Sequence, residues 1–322
     1  MAEIQQYQVD EPYLKLDCGL GEAPFWEESR RTLRFVDIVK QKVYLLNVDK
    51  GPSSHEVKSL DISIGTTADI EGKDDEFIFG GKHGYGIFDR NAGTYKYINK
   101  YWTDEEIADN KPHRMRANDG NVDVEGRFFL GTMNDPLVKS FTDEGYLFRL
   151  DPDLNLHRIL SGVTIPNGSS WSHDNKKFYW TDSVTGQIDV FDYDRSTGAI
   201  TKRRPFWKTP IEGTAPDGHA MDEEGYLWVA VFGSWKVFRV SPDAKVVAEI
   251  KLPTRCVTCP CFVGEDLYIT SAAEEEPDKY PESTKLAGSL FKVTVGVKGV
   301  QRNKFKFAPG VSVGRTNSGQ QS

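Results

Sequence analysis

Four oxygen-bearing side chains occupy one position of a repeating unit. Glu22, Asn118, Asn167 and Asp217 each stand four residues before the residue that anchors their repeat, Trp26, Val122, Trp171 and Met221. Their contexts agree: Gly21-Glu22-Ala-Pro-Phe-Trp, Asn118-Asp-Gly-Asn-Val, Pro166-Asn167-Gly-Ser-Ser-Trp and Pro216-Asp217-Gly-His-Ala-Met. Two further repeats put Thr66 or Thr67 and Thr258 near the same slot. Taken singly, Asn-Gly and Asp-Gly are hairpin-turn dipeptides, and the glycine is expected to allow a sharp turn with φ > 0. Taken together, two carboxylates and two amides focused on one point repel or stay unsatisfied without a cation or strong hydrogen-bond partners. Such oxygens without His or Cys suit a hard divalent cation, Ca²⁺ or Mg²⁺, with Mn²⁺ and Zn²⁺ also admitted. So few charged ligands leave coordination positions for water or substrate, which points to a catalytic ion rather than a structural one.

The elements that must position these groups are strands. Runs rich in Val, Ile, Tyr, Phe and Trp alternate with Gly, Asp and Asn turn signals, and helical periodicity is scarce. One unit recurs six times at about 40 to 50 residues, the period of a four-stranded propeller blade. Trp26–Asp37 leads into Lys42–Asp49, Trp171–Asp182 into Ile188–Asp194, and Phe262–Thr270 into Gly288–Val293. The expectation is an all-β chain forming a six-bladed β-propeller over residues 1–307, its slot residues converging on the axis. The run 308–322, rich in Gly, Ser, Asn and Gln, is expected to be a disordered tail.

Composition narrows the partners. A net charge of -8 across 322 residues opposes nucleic-acid and anionic-membrane binding. No run of about 18 apolar residues is present, and the first residues lack a basic and apolar leader pattern. With only four cysteines, read as buried reduced thiols, a cytoplasmic protein is expected. Asn167-Gly-Ser169 is formally a glycosylation sequon, and a glycan there would destroy the proposed ligand, which favours the same compartment.

The chain resembles the family of senescence marker protein (regucalcin), gluconolactonases and the luciferin-regenerating enzyme over roughly residues 12 to 302. The motifs are Gly21–Trp26, Arg116–Arg127 with Gly131-Thr-Met133, Pro166-Asn-Gly168, Phe191–Asp194 and Pro216–Ala230. What the resemblance implies is a propeller with one divalent metal held by Glu22, Asn167 and Asp217. Asn118 would bind a metal-bound water or substrate, and Arg116 would grip substrate oxygens. Asp135 joins them as a substrate contact, although animal members carry Glu near this point. The family's usual reaction is hydrolysis of a sugar lactone to its aldonic acid. On that reading the metal polarises the carbonyl and activates water, and Asp217 is the candidate general base. The alternatives are another metal-dependent esterase or phosphotriesterase on this site, and a calcium-binding regulatory or scaffold protein. Asp119 either orients Arg116 or closes an Asx turn. Cys256-Val-Thr-Cys259-Pro-Cys261 lacks a second ligand pair for zinc. Gly80–Gly86 is read as a β turn, Glu274-Glu-Glu276 as a solvated loop, and His219 as a core or pocket-lining residue.

Overall fold

The structure, a computed structural model, describes residues 4–311 and 313. Its strands form small sheets in chain order, each a meander. Sheet one is Gly21–Glu27, Thr32–Asp37, Lys42–Asn47 and Glu56–Ser59; sheet two is Ile64–Ile70, Lys73–Gly81, Gly84–Asp89 and Thr94–Lys100. Sheet three is Met115–Val122, Phe128–Asn134, Gly145–Leu150 and Leu156–Val163; sheet four is Pro166–Trp171, Lys177–Asp182, Gln187–Asp194 and Ala199–Lys208. Sheet five is Ala215–Met221, Leu227–Phe232, Lys236–Val240 and Val246–Lys251, and sheet six is Val257–Val263, Asp266–Ser271 and Phe291–Thr294. This is the six-bladed β-propeller fold. Gln5–Gln8 adds a parallel strand to the outer edge of sheet five. Leu14 then exchanges two backbone hydrogen bonds with Leu290 beside the last strand of sheet six.

The contacts divide into two compact units, Met1–Asp61 with Asn167–Gln301 and Ile62–Pro166 with Arg302–Ser322. In the first, apolar clusters join neighbouring sheets. Tyr179, Ile188 and Trp207 meet Leu227, Val229 and Phe238 between sheets four and five, and Trp228 and Ile250 meet Leu267 and Ile269 between five and six. Leu33, Phe35 and Leu46 meet Cys261 and Tyr268 between six and one. Each such buried side chain stabilises by roughly 1.5–3 kcal/mol, which is what orders the leading strands that carry the slot. In the second unit Tyr85 of sheet two donates its hydroxyl to Phe128 O of sheet three at 2.9 Å.

Turn chemistry is explicit where the sequence repeats Asp-x-x-Gly. Asp123 Oδ1 accepts from the amides of Glu125 and Arg127, and Asp222 Oδ1 from those of Glu224 and Tyr226. Gly126 and Gly225 supply the required φ of 85° and 82°. These acids are turn-formers, distinct from the slot residues a few positions earlier.

The segment after Gln301 is built into the second unit. Phe305 is fully buried, pairs with Ile70, and closes two backbone bonds with Asp69 and Glu71. Ala308 N donates to Pro152 O at 2.8 Å, so the first residue of the expected tail is tied down. Residues 312 and 314–322 lie outside the described residues.

Candidate functional site

Glu22, Asn118, Asp217 and Thr258 sit where their leading strands slip register. Pairing is interrupted between Glu22 and Phe25, Ala117 and Gly120, Pro216 and His219, and Val257 and Pro260. A bulge bends its strand and re-aims a side chain that strict alternation would send into a sheet face. The glycines act differently from the sequence expectation: Gly120, Gly168 and Gly218 do not take positive φ. They are required because another group comes too close for a Cβ. At Gly168 a Cβ would meet His219 Nδ1 at 2.3 Å and Asp217 O at 2.9 Å, and at Gly218 it would meet Cys259 Sγ at 2.4 Å. The positive φ falls instead on Ala23, at 48°, directly after Glu22.

These approaches line up the leading strands of the first unit. Sheet four touches sheet five at Gly168, and sheet five touches sheet six at Gly218. Thr258 Oγ1 of sheet six reaches Gly21 O of sheet one at 2.6 Å. Asn167 and Asp217 are thus on adjacent strands, and Glu22 lies one strand beyond the strand of Thr258. All three are buried, at 4%, 5% and 7% exposure for Glu22, Asn167 and Asp217. Glu22 Oε2 accepts from Ala23 N at 2.8 Å. Asn167 Nδ2 donates to Ser183 Oγ at 2.8 Å, and Ser183 Oγ donates to Pro216 O at 2.7 Å. Ser183 therefore engages the amide nitrogen of Asn167, so that any ligand role of this side chain would fall to its oxygen. Sequence reasoning missed Ser183, which arrives from a turn of the same sheet and carries no motif. Among the described residues no group of three or more His, Cys, Asp and Glu could hold a metal ion. A cation would therefore need an amide oxygen beside two carboxylates, a set that fits a hard ion. His219 is buried with Nε2 against Ser170 Oγ at 2.8 Å.

The substrate-contact candidates belong to the second unit. Arg116 Nη1 donates to Asn118 Oδ1 at 2.7 Å and Ala117 O at 2.8 Å, while Asn118 Nδ2 donates to Pro166 O at 2.7 Å. Both ends of Asn118 are thus engaged, and its visible work is to orient Arg116. Asp119 lies within the strand Met115–Val122, where its Oδ1 accepts from the next amide, Gly120 N, at 2.6 Å. Burial pushes the Asp119 carboxyl up, against the charge of Arg302 and the Gly120 amide. Asp135 is paired with Lys82 at 2.7 Å, and its other oxygen accepts from Leu137 N. Lys82 was not singled out in the sequence; with His83 it forms the turn between Lys73–Gly81 and Gly84–Asp89, whose ends supply the rest of the Gly80–Gly86 run.

Two remaining readings divide. All four cysteines are free and buried, and burial pushes the Cys18 and Cys256 thiols up to about 12. The Glu274 run is not a uniformly solvated loop. Glu274 is buried and takes Arg255 Nε on both oxygens at 3.1 and 3.2 Å, a partner 19 residues away that composition cannot reveal.

A family model described as the SMP-30/Gluconolactonase/LRE-like region matches residues 20–273. The chain belongs to this family. It is 34% identical to regucalcin of Xenopus laevis, over 91% of this chain and 98% of that protein. Among solved structures, a luciferin-regenerating enzyme aligns with a TM-score of 0.80 at 28% identity, covering 90% of this chain and 96% of the other. A regucalcin from Agrobacterium tumefaciens, described as a calcium-binding protein, aligns with a TM-score of 0.84 at 22% identity, covering 94% and 99%. The family match spans the strands that carry Glu22, Asn118, Asn167 and Asp217. No helix among the described residues is long and apolar enough to cross a membrane.

Proposed function

We propose that the chain is a metal-dependent lactonase that opens a sugar lactone to its aldonic acid. The observation that carries this reading is the burial of Glu22, Asn167 and Asp217 on leading strands of the first unit, those of Asn167 and Asp217 adjacent and that of Glu22 beyond the strand of Thr258, in a family whose description includes gluconolactonase. Glu22, Asn167 and Asp217 would hold the ion, which when bound polarises a carbonyl and lowers the pKa of water. Asp217 takes a proton from the attacking water through its carboxylate. The water oxygen bonds to the carbonyl carbon, the ring ester C–O bond breaks, and the released ring oxygen takes up a proton. Arg116, oriented by Asn118, offers a planar fork of donors for lactone oxygens. Asp135 is proposed as an outer substrate contact acting together with Lys82.

The test is a pH-stat assay against glucono-, galactono-, rhamnono-, xylono- and arabinonolactone, with each divalent metal and with chelator. At least one lactone should open well above its spontaneous rate, and Asp217→Asn should lower that rate by about 10³-fold or more with the β-sheet circular dichroism retained. Full turnover in Asp217→Asn, or no lactone opened under any metal, overturns the proposal. A second reading, a calcium-binding protein without turnover, is supported by the description of the Agrobacterium neighbour. Saturable Ca²⁺ binding with the whole panel inert would select it. An organophosphate ester in the same assay covers the phosphotriesterase alternative.

A further inference from the structure

A cleft of about 730 Å³ opens in the first unit, at the outer edge of sheet five. Its location follows from register. Pro216 pairs with Val231, Val231 with Lys236, Lys236 with Lys251, and Lys251 with Gln8 of the added N-terminal strand. This row runs from the residue beside Asp217 outward to the cleft wall at Lys251 and Gln8. Three strand spacings separate its first and fourth members, about 14 Å. The cleft therefore faces the same end of the sheet as Asp217 but is a separate place.

Its floor contains a tryptophan held in an unusual backbone conformation. The hairpins between second and third strands in sheets one, four and five each end in a left-handed residue immediately before the third strand. That residue is Gly186 in sheet four, with φ 67°, and Gln41 in sheet one, with φ 54°. In sheet five it is Trp235, at φ 67°. A bulky residue with positive φ is an outlier that persists only where its surroundings fix it. Here they do: Trp235 O accepts from Leu252 N at 2.9 Å, and the indole meets the Tyr280 ring edge-on at 6.4 Å. The fold thus keeps tryptophan where glycine would be unstrained, and the indole lines the cleft with Leu252 and Leu286.

Charge on the walls says what that face would meet. Lys15, Lys251 and Lys285 line the cleft, and none of them has an ion pair among the described residues. Against them stand Glu11 and Glu282, giving a net charge of +1 on a chain of net charge -8. The ammonium groups suit a carboxylate or phosphate, the glutamates accept from hydroxyls, and the indole covers the C–H face of a ring. Such a volume is in the ordinary range for small-molecule sites.

We propose that this cleft binds an anionic sugar, a hydroxylated ring or chain carrying a carboxylate or a phosphate. Binding here does not depend on any turnover at Asp217. The test is calorimetric titration of the full chain, and of its Asp217→Asn variant, with gluconate, glucose 6-phosphate, glucose and inorganic phosphate. Gluconate or glucose 6-phosphate should bind saturably to both forms, and which one binds identifies the anion. The double substitution Lys251→Ala/Lys285→Ala, at exposed positions, should weaken that binding at least tenfold. Tryptophan fluorescence should change on binding in the unsubstituted chain and much less in Trp235→Phe. The proposal is overturned if neither sugar anion binds, if binding survives the double lysine substitution, or if it vanishes in Asp217→Asn alone. Equal binding of inorganic phosphate and the sugar anions overturns the sugar part, because the indole and glutamates would then contribute nothing.

Discussion

Ser183 joins two strands of the first unit through one hydroxyl, accepting from Asn167 Nδ2 and donating to Pro216 O, the residue before Asp217. Removing that hydroxyl leaves both Asn167 Nδ2 and Pro216 O to find new partners in a buried place, and such a group left unpaired costs about 1–3 kcal/mol. Ser183→Ala removes the hold that this hydroxyl has on the Asn167 amide nitrogen, and with it one constraint on the orientation that the proposed ligand role requires. The expected outcome is a fall in kcat/KM of about tenfold or more, equivalent to about 1.4 kcal/mol, with a raised metal requirement and a folded chain. A merely structural role for Ser183 would shift the urea midpoint and leave the metal concentration for half-maximal activity unchanged, so both are measured.

At the scale of elements, the segment that follows Gln301 has a definite task. Phe305 inserts a fully buried ring and two backbone bonds into sheet two, Lys306 lies over Gly126, and Asn303 Nδ2 reaches Val122 O at 3.0 Å. Phe305→Ala should therefore cost about 3–5 kcal/mol, read as a lowered urea midpoint, and truncation after Gln301 should cost at least as much. Little loss in either variant would show that the segment merely rests on the sheet. The sequence reading drew nothing from Phe305-Lys-Phe307, because composition alone does not say which sheet edge receives such a segment. The six-fold repeat was legible because burying both faces of each small sheet demands the same pattern every time. The bulges were not, since glycine marks a turn, a positive φ or a close approach with the same letter. Only the contacts at Gly168 and Gly218 decide for close approach. Ser183 and the pairing of Glu274 with Arg255 were hidden for a related reason, because neither partner repeats with the blade.

For the molecule as a whole, acid should be the condition that separates structure from charge. Among the carboxylates that hold their protons less tightly in the fold than in an open chain, three are lowered furthest, each to about 2: Glu106, Glu144 and Glu274. In each case burial acts against ionisation and is outweighed. The Thr103 amide, Arg158 and Lys111 do this for Glu106, Lys139, Arg114 and Thr142 for Glu144, and Arg255, Ser283 and the Glu276 amide for Glu274. A folded pKa below the unfolded value of about 4.3 adds stability above that value, and the contribution is lost as pH falls toward 2. Asp119 and Glu275 work the other way, since burial raises their pKa and favours the protonated fold, but they are two groups against the three lowered to about 2. Urea midpoints should therefore hold steady from neutral pH to about 5 and drop steeply between about 4.3 and 2. Glu274→Gln should start from a lower midpoint at pH 7 and lose less on acidification, because its share of the proton linkage is gone. A parallel drop in both proteins would mean that the Arg255 pair contributes nothing to acid sensitivity, and that the slope comes from groups other than Glu274.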